Sequence, residues 1–241
     1  MKRLPRISRS IITLGAFAAA FAASQAVEAQ VYYRGEVGYS QSFGADFKDK
    51  DPNAGLICGD AACSTGGSLD NFGGSAILSG GIGYRFTPNL RGDVTLGYRP
   101  SYQLNASDKG VPATKFSADV TSLALMVNGY YDLPLQGWTP YVGAGLGYAQ
   151  NKIGSVSFND GAGFIGTAPG GTKSGTAWAL MLGAAIPAQP GVTLDFGYRF
   201  IDLGKVESAA GDVSVSGFTV PGYGGAAGKL KANELFVGIR F

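Results

Sequence analysis

The chain has 241 residues, of which 45% are hydrophobic, 12% are aromatic and only 15% are charged. This length suits one all-β domain, and the charged fraction is well below the quarter that is usual in soluble domains. Beyond the amino-terminal region no apolar run reaches the roughly 18 residues of a membrane-spanning helix, which favours alternating strands instead. Histidine is absent, which excludes Ser-His-Asp hydrolysis and most zinc sites.

Residues 1–29 have the pattern of a secretory signal peptide. Four basic residues come first, residues 11–23 form an apolar stretch, and the Val-Glu-Ala sequence at 27–29 precedes Gln30 as a small-x-small cleavage site. The alternative, an uncleaved anchor helix, is disfavoured because the apolar stretch is too short to span a bilayer.

Removal of that segment changes the formal charge of the chain. It takes away four basic residues and one acidic residue, so the net charge goes from +2 to −1. The slight basicity of the full sequence therefore gives no reason to expect a nucleic-acid partner.

Eight segments with alternating polarity follow the predicted signal peptide. They cover residues 31–43, 74–86, 90–102, 117–132, 138–150, 175–186, 192–203 and 230–241. In each segment one face is nearly free of charge, and the other carries Arg, Asp, Glu, Thr, Ser and Gly. Short turns at 87–89, 134–137 and 187–191 alternate with long, polar, glycine-rich loops at 44–73, 103–116, 151–174 and 204–229.

This arrangement is typical of a membrane barrel. Each segment is long enough for the 9–11 residues of a tilted membrane strand, and aromatic residues fall near both ends of the segments, where two interfacial girdles are expected. A soluble lipocalin-like barrel would instead place its large apolar residues inside. We therefore predict that residues 30–241 form an all-β, transmembrane, eight-stranded antiparallel up-and-down β-barrel.

The last strand alternates up to the final residue of the chain. Its apolar face consists of Leu235, Val237, Ile239 and Phe241. A soluble edge strand of this kind would invite aggregation, whereas a closed barrel in lipid has no edge and presents the apolar face to acyl chains.

Charged residues on the inward face predict a charge network in the lumen, for which the candidates are Arg34, Glu36, Arg85, Arg91, Asp93, Arg99, Asp195, Arg199, Glu234 and Arg240. An eight-stranded barrel is only wide enough for side chains to fill its interior, and buried ions must pair. The network is either a plug of salt bridges or the lining of a narrow conduit. Because the first and last strands are neighbours at closure, we expect Glu36 and Arg240 to lie within pairing reach.

Two further residues, Cys58 and Cys63, share one short loop stretch. An even cysteine count in an exported chain suggests a disulfide that closes a small loop. A metal pair is disfavoured, since there is no histidine and no second cysteine pair.

The chain resembles the small eight-stranded outer-membrane barrels of Gram-negative bacteria, of the OmpA/OmpX-like and Opa-like "porin family" type. The resemblance covers residues 30–241 and depends on the signal peptide, the proline-containing short turns, the terminal Phe241 and repeated Gly-Tyr-Arg triplets that start at Gly83, Gly97 and Gly197. It implies an outer-membrane location, and the alternation of short turns with long loops over an even number of strands predicts extracellular loops and periplasmic termini. It also implies insertion by the barrel assembly machinery, which reads a terminal strand that ends in an aromatic residue.

These observations together predict a non-enzymatic protein of the outer membrane that needs no cofactor. We expect a structural and surface-interaction role, which would involve envelope integrity and contact of the loops with lipopolysaccharide, a surface ligand or a host receptor. The loops could alternatively act as mobile shielding. The alternative function is a narrow passive pore for small solutes.

Overall fold

The computed structural model describes residues 30–51, 56–57, 68–69, 72–109 and 113–241. The predicted signal peptide, 1–29, lies outside the described residues, as do Cys58 and Cys63, so the predicted cleavage and disulfide stay predictions. Within the described ranges, no helix has the length and apolar character needed to cross a membrane.

The described part of the chain forms thirteen β-strands. Eight of them are long: β1 (Gln30–Phe43), β3 (Gly74–Arg85), β4 (Leu90–Ser107), β5 (Lys115–Asp132), β6 (Thr139–Ile153), β9 (Gly171–Gln189), β10 (Val192–Glu207) and β13 (Ala226–Arg240). Five are short and lie in the predicted loops: β2 (Lys48–Asp49), β7 (Val156–Asn159), β8 (Ile165–Ala168), β11 (Gly211–Val215) and β12 (Phe218–Tyr223).

The eight long strands form a closed antiparallel ring. Each pairs with the next long strand along the chain, and β13 pairs back onto β1, where Arg34 lies opposite Arg240. Closure satisfies the backbone hydrogen bonds of every strand, which is the condition for crossing a bilayer with strands. The predicted fold class, an eight-stranded up-and-down barrel, is confirmed.

The outer face of the ring is apolar, as the alternation predicts. Leu146 is 72% exposed and Val127 is 62% exposed, and both lie in the middle of their strands on the face that points away from the lumen. Aromatic rings border this surface: Tyr33 stacks on Phe241 at the short-turn end, and Trp178 packs on Phe200 toward the long-loop end. These belts fit the two interfaces of a membrane.

The strands continue past the aromatic belt at the long-loop end, beyond the limits that the sequence pattern predicts. A β-bulge between Arg99 and Tyr102 shifts the register of β4 against β5, so inward residues change from odd to even numbers at that point. Beyond the bulge the inward residues are apolar, including Tyr102, Leu104 and Phe116, and they form one buried hydrophobic cluster. Polarity therefore inverts: the ring is ionic inside where lipid surrounds it, and apolar inside where water surrounds it.

Candidate functional site

The centre of the lumen holds a continuous series of ion pairs. Arg34 Nη1 lies 2.7 Å from Asp93 Oδ2, and a second nitrogen of Arg34 pairs with Glu36. The other carboxylate oxygen of Glu36 lies 2.8 Å from Arg199 Nη2. Strands β1, β4 and β10 contribute these residues because their inward positions fall at one level of the ring.

The series continues toward the long-loop end through Glu234. Its carboxylate oxygens lie 3.1 Å from Arg199 Nη1 and 2.7 Å from Arg99 Nε, and it also accepts a hydrogen bond from Ser40 at 3.0 Å. Glu234 is fully buried. A buried carboxylate with two arginines and a hydroxyl group has its acceptor sites filled, which is the condition under which a buried ion is tolerated.

A second group of ion pairs lies at the short-turn end of the lumen. Arg240 Nε lies 2.7 Å from Asp195 Oδ2, and Arg91 Nε lies 3.0 Å from the carboxylate of Asp132. The Arg91 guanidinium also lies 3.9 Å from the ring centre of Tyr130, a cation–π contact. Aromatic and ionic groups therefore pack side by side at this end of the ring.

One predicted pair does not form. Glu36 contacts Arg34 and Arg199, and Arg240 contacts Asp195 instead. Glu36 and Arg240 share the lumen face, as expected, but they are diagonal neighbours: Arg240 lies opposite Arg34, and Glu36 lies opposite Gly238. Each side chain therefore reaches a better aligned partner.

Asp132, the partner of Arg91, is absent from the set predicted from the sequence. The residue ends β5 and continues the even-numbered inward face that includes Asn128 and Tyr130. Continuing the alternation from Tyr130 to the next inward position would have predicted Asp132 as a lumen residue. Asn128 itself donates hydrogen bonds to Asp93 at 2.8 Å and to Thr95 at 3.0 Å.

The predicted lumen residues are all inward-facing, but Arg85 differs from the rest. Nine of the ten are buried, whereas Arg85 is half-buried at the short-turn end. Among the described residues, no carboxylate lies within salt-bridge distance of Arg85.

The four residues of the terminal strand that the alternation assigns to its apolar face point outward: Leu235, Val237, Ile239 and Phe241 are exposed.

A sheet protrudes from the ring at the long-loop end. It runs in the order β4, β5, β7, β8, β11, β12, and its outer face carries a row of directly opposed polar side chains. We call this row the polar ladder: Asn105, Ser117, Ser157, Thr167, Ser214 and Thr219. All six are exposed, and with about 4.8 Å between strands the ladder extends over about 24 Å.

Ionic contacts join the loops at this end, beyond the aromatic belts. Glu207 at the end of β10 lies 3.0 Å from Lys173 Nζ and 3.6 Å from Lys50 Nζ. The hydrogen bond from Lys173 lowers the pKa of Glu207, and the charge of Lys50 lowers it further. Nearby, burial raises the pKa of Asp49, although its carboxylate accepts hydrogen bonds from two backbone N–H groups.

Comparison with known proteins agrees with this architecture. Residues 10–223 match the model of the outer membrane protein beta-barrel domain family. A Rickettsia conorii protein whose name describes it as a proposed adhesin is 31% identical over 168 residues, which are 67% of this chain and 65% of that relative. Outer membrane protein PagN of Salmonella typhimurium is 35% identical over 82 residues, 34% of each chain.

A solved structure shows the same fold. The crystal structure of outer membrane protein OprG from Pseudomonas aeruginosa superimposes with a TM-score of 0.50, covers 87% of this chain and 95% of its own, and is 16% identical. The chain therefore belongs to the outer membrane protein beta-barrel domain family and is a protein of the bacterial outer membrane.

Proposed function

We propose that this protein is a structural and recognition component of the outer membrane, whose protruding sheet binds a partner outside the cell. The polar ladder is the observation that carries the proposal. Six exposed hydroxyl and amide groups at regular spacing offer hydrogen bonds to a hydrated partner, and the ring below holds them on a rigid scaffold. The similarity to a Rickettsia protein named as a proposed adhesin supports this role.

We further propose the orientation and the partners. The long-loop end faces outward and both termini face the periplasm, so the ladder lies among the sugars of lipopolysaccharide and within reach of a host receptor. The exposed apolar face of the terminal strand, which ends at Phe241, is proposed as the signal for the barrel assembly machinery. A disulfide between Cys58 and Cys63 and cleavage after residue 29 complete the proposal.

The contacts inside the lumen favour a plug of salt bridges over a conduit for small solutes. Its ion pairs cross the lumen between strands that are not neighbours in the ring, as in the contact of Arg99 on β4 with Glu234 on β13, and the apolar cluster fills the ring above them. We also infer that the protein is not an enzyme, since a chain without histidine lacks the commonest general base.

A binding experiment tests the recognition role. The double substitution Ser117→Tyr with Ser157→Tyr covers the centre of the ladder and is expected to reduce binding of expressing cells to host cells, or of the purified barrel to lipopolysaccharide, about tenfold. Thr172→Tyr is the matched control, because Thr172 is exposed on β9 away from the ladder. Equal binding by both variants would refute the role of the ladder.

Conductance in planar bilayers separates the plug from the alternative, a narrow passive pore. The plug predicts no reproducible unitary current from the purified protein. Steady unitary steps that disappear when the lumen is closed would establish the pore instead.

A further inference from the structure

The lumen opens at the short-turn end into a pocket of about 520 Å³. Its wall includes the polar side chains of Gln30, Tyr32, Arg85, Thr193 and Arg240. This pocket is at the opposite end of the barrel from the polar ladder, so a binding site in it is independent of the proposed function.

Three guanidinium groups gather around this mouth. Arg85 lies directly opposite Arg91 on the paired strands β3 and β4, and Arg91 and Arg240 both approach the ring of Tyr32, at 6.0 and 5.7 Å from its centre. Like charges at directly opposed positions of a sheet repel each other. Anions that compensate these charges therefore stabilise the arrangement.

Protein carboxylates compensate two of the three. Arg91 pairs with Asp132 and Arg240 pairs with Asp195, whereas no carboxylate of the described chain lies within 4 Å of the Arg85 guanidinium. The membrane-spanning lumen contains six arginines against five acidic residues, namely Arg34, Arg85, Arg91, Arg99, Arg199 and Arg240 against Glu36, Asp93, Asp132, Asp195 and Glu234. Among these side chains one positive charge is in excess, and Arg85, which has no carboxylate partner among the described residues, lines the pocket.

Two of the arginines that line the pocket have unused hydrogen-bond donors. Arg85 Nε and Arg240 Nη1 are both shielded from solvent and have no acceptor among the described residues, and Arg240 as a whole is only 4% exposed. Buried guanidinium N–H groups without an acceptor are costly, and native proteins normally satisfy them.

We propose that this pocket binds a phosphate group, which Arg85 and Arg240 hold from two strands. A tetrahedral phosphate accepts hydrogen bonds from several directions at once, which suits donors that come from separate walls, with the Thr193 hydroxyl and the Gln30 amide at the rim. The phosphate neutralises the excess charge of the lumen. Its source is either the free ion of the periplasm or the headgroup of a lipid, since Val31 and Phe241 border the pocket on the lipid side.

Phosphorus NMR on the full-length mature protein, refolded in a phosphate-free detergent, tests the site. Titration with inorganic phosphate is expected to give saturable broadening of the phosphate signal, and Arg85→Gln is expected to weaken the affinity at least tenfold. Lys115→Gln, which removes an exposed positive charge at the other end of the barrel, is the matched control and is expected to leave the affinity unchanged. Equal affinity for the wild-type protein and Arg85→Gln would overturn the proposal.

A second variant keeps the test independent of any folding defect in Arg85→Gln. Thr193 lies directly opposite Arg240 on the paired strands β10 and β13, so Thr193→Glu places a carboxylate in the pocket. This variant is expected to lose phosphate binding while its midpoint of urea unfolding rises, because the new carboxylate supplies the missing negative charge. Undiminished phosphate binding by Thr193→Glu would also overturn the proposal.

Competition with a water-soluble, short-chain phosphatidic acid identifies the source of the phosphate. If the short-chain lipid displaces bound inorganic phosphate at concentrations below the Kd of inorganic phosphate, the lipid headgroup is the ligand. If it competes no better than the free ion, the free ion is the ligand. Absence of saturable binding of either compound to the wild-type protein would refute the site.

Discussion

Buried charged residues of the lumen share ion-pair partners, so a change at one residue affects several contacts. Glu234 is the only described carboxylate that contacts both Arg99 and Arg199, and Arg199 in turn contacts Glu36. Removal of one member therefore leaves several buried charges without compensation, which costs more than the loss of a single contact.

We expect Glu234→Gln to destabilise the barrel by about 3–5 kcal/mol, since breaking a buried ion pair leaves uncompensated charge. Urea unfolding of the barrel in phospholipid vesicles measures this change. Asp212→Asn is the matched control, because Asp212 is exposed at the long-loop end, and its effect should stay within about 0.5 kcal/mol. Equal unfolding midpoints for the two variants would contradict the assigned role of Glu234.

Small inward residues make room for the large ones. Gly83 lies directly opposite Tyr32 on the paired strands, and Gly197 lies opposite Phe236. A Cβ atom at either glycine would overlap the facing ring. These two glycines explain how an eight-stranded lumen accommodates aromatic rings beside six arginines.

The long strands behave as two elements joined end to end. In β4 the lower part has charged residues inside and apolar residues outside, and above the bulge that follows Arg99 the pattern is reversed. β10 has a similar register shift between Asp202 and Lys205. The reversal follows from the solvent, because lipid favours an apolar exterior and water favours an apolar core.

At the long-loop end, separate elements are joined by Glu207, which contacts Lys173 on β9 and Lys50 in the segment after β1. Because the pKa of Glu207 is lowered in the folded protein, its stabilising effect is present above the ordinary value of about 4.3 and is lost as the pH falls through the lower, folded value. We expect hydrogen-exchange protection of residues 48–51 to fall when the pH drops from 6 to below about 4.

The variant Glu207→Gln serves as the control for this pH dependence. It should show reduced protection of residues 48–51 at both pH values, because a neutral amide no longer attracts the two lysines. If wild-type protection is the same at both pH values, Glu207 does not hold these loops together.

At the scale of the whole molecule, the closed ring has a lipid-facing outer surface and a lumen that is filled with side chains. Val127 lies between the two aromatic belts and is 62% exposed. We expect Val127→Arg to destabilise the barrel by about 2–4 kcal/mol in vesicles, the usual cost of arginine near the bilayer midplane.

The control for that substitution is Ser157→Arg, which adds the same side chain to the protruding sheet outside the membrane. Urea unfolding in vesicles should place Ser157→Arg within about 0.5 kcal/mol of the wild-type protein. If Val127→Arg were equally harmless, the position of the membrane around the ring would be wrong.

The sequence by itself determined the number of membrane strands, the approximate limits of their lipid-facing parts and the face that residues within those parts present. This was possible because alternation with a period of two is a local property, and a one-residue shift would turn every side chain to the wrong medium. Only the tertiary structure decided which charges pair, because partners such as Glu36 and Arg199 are 163 positions apart. The protruding sheet also became visible only in the tertiary structure, because the bulge after Arg99 interrupts the period of two. The polar ladder on this sheet depends on the register between strands that are distant in the sequence.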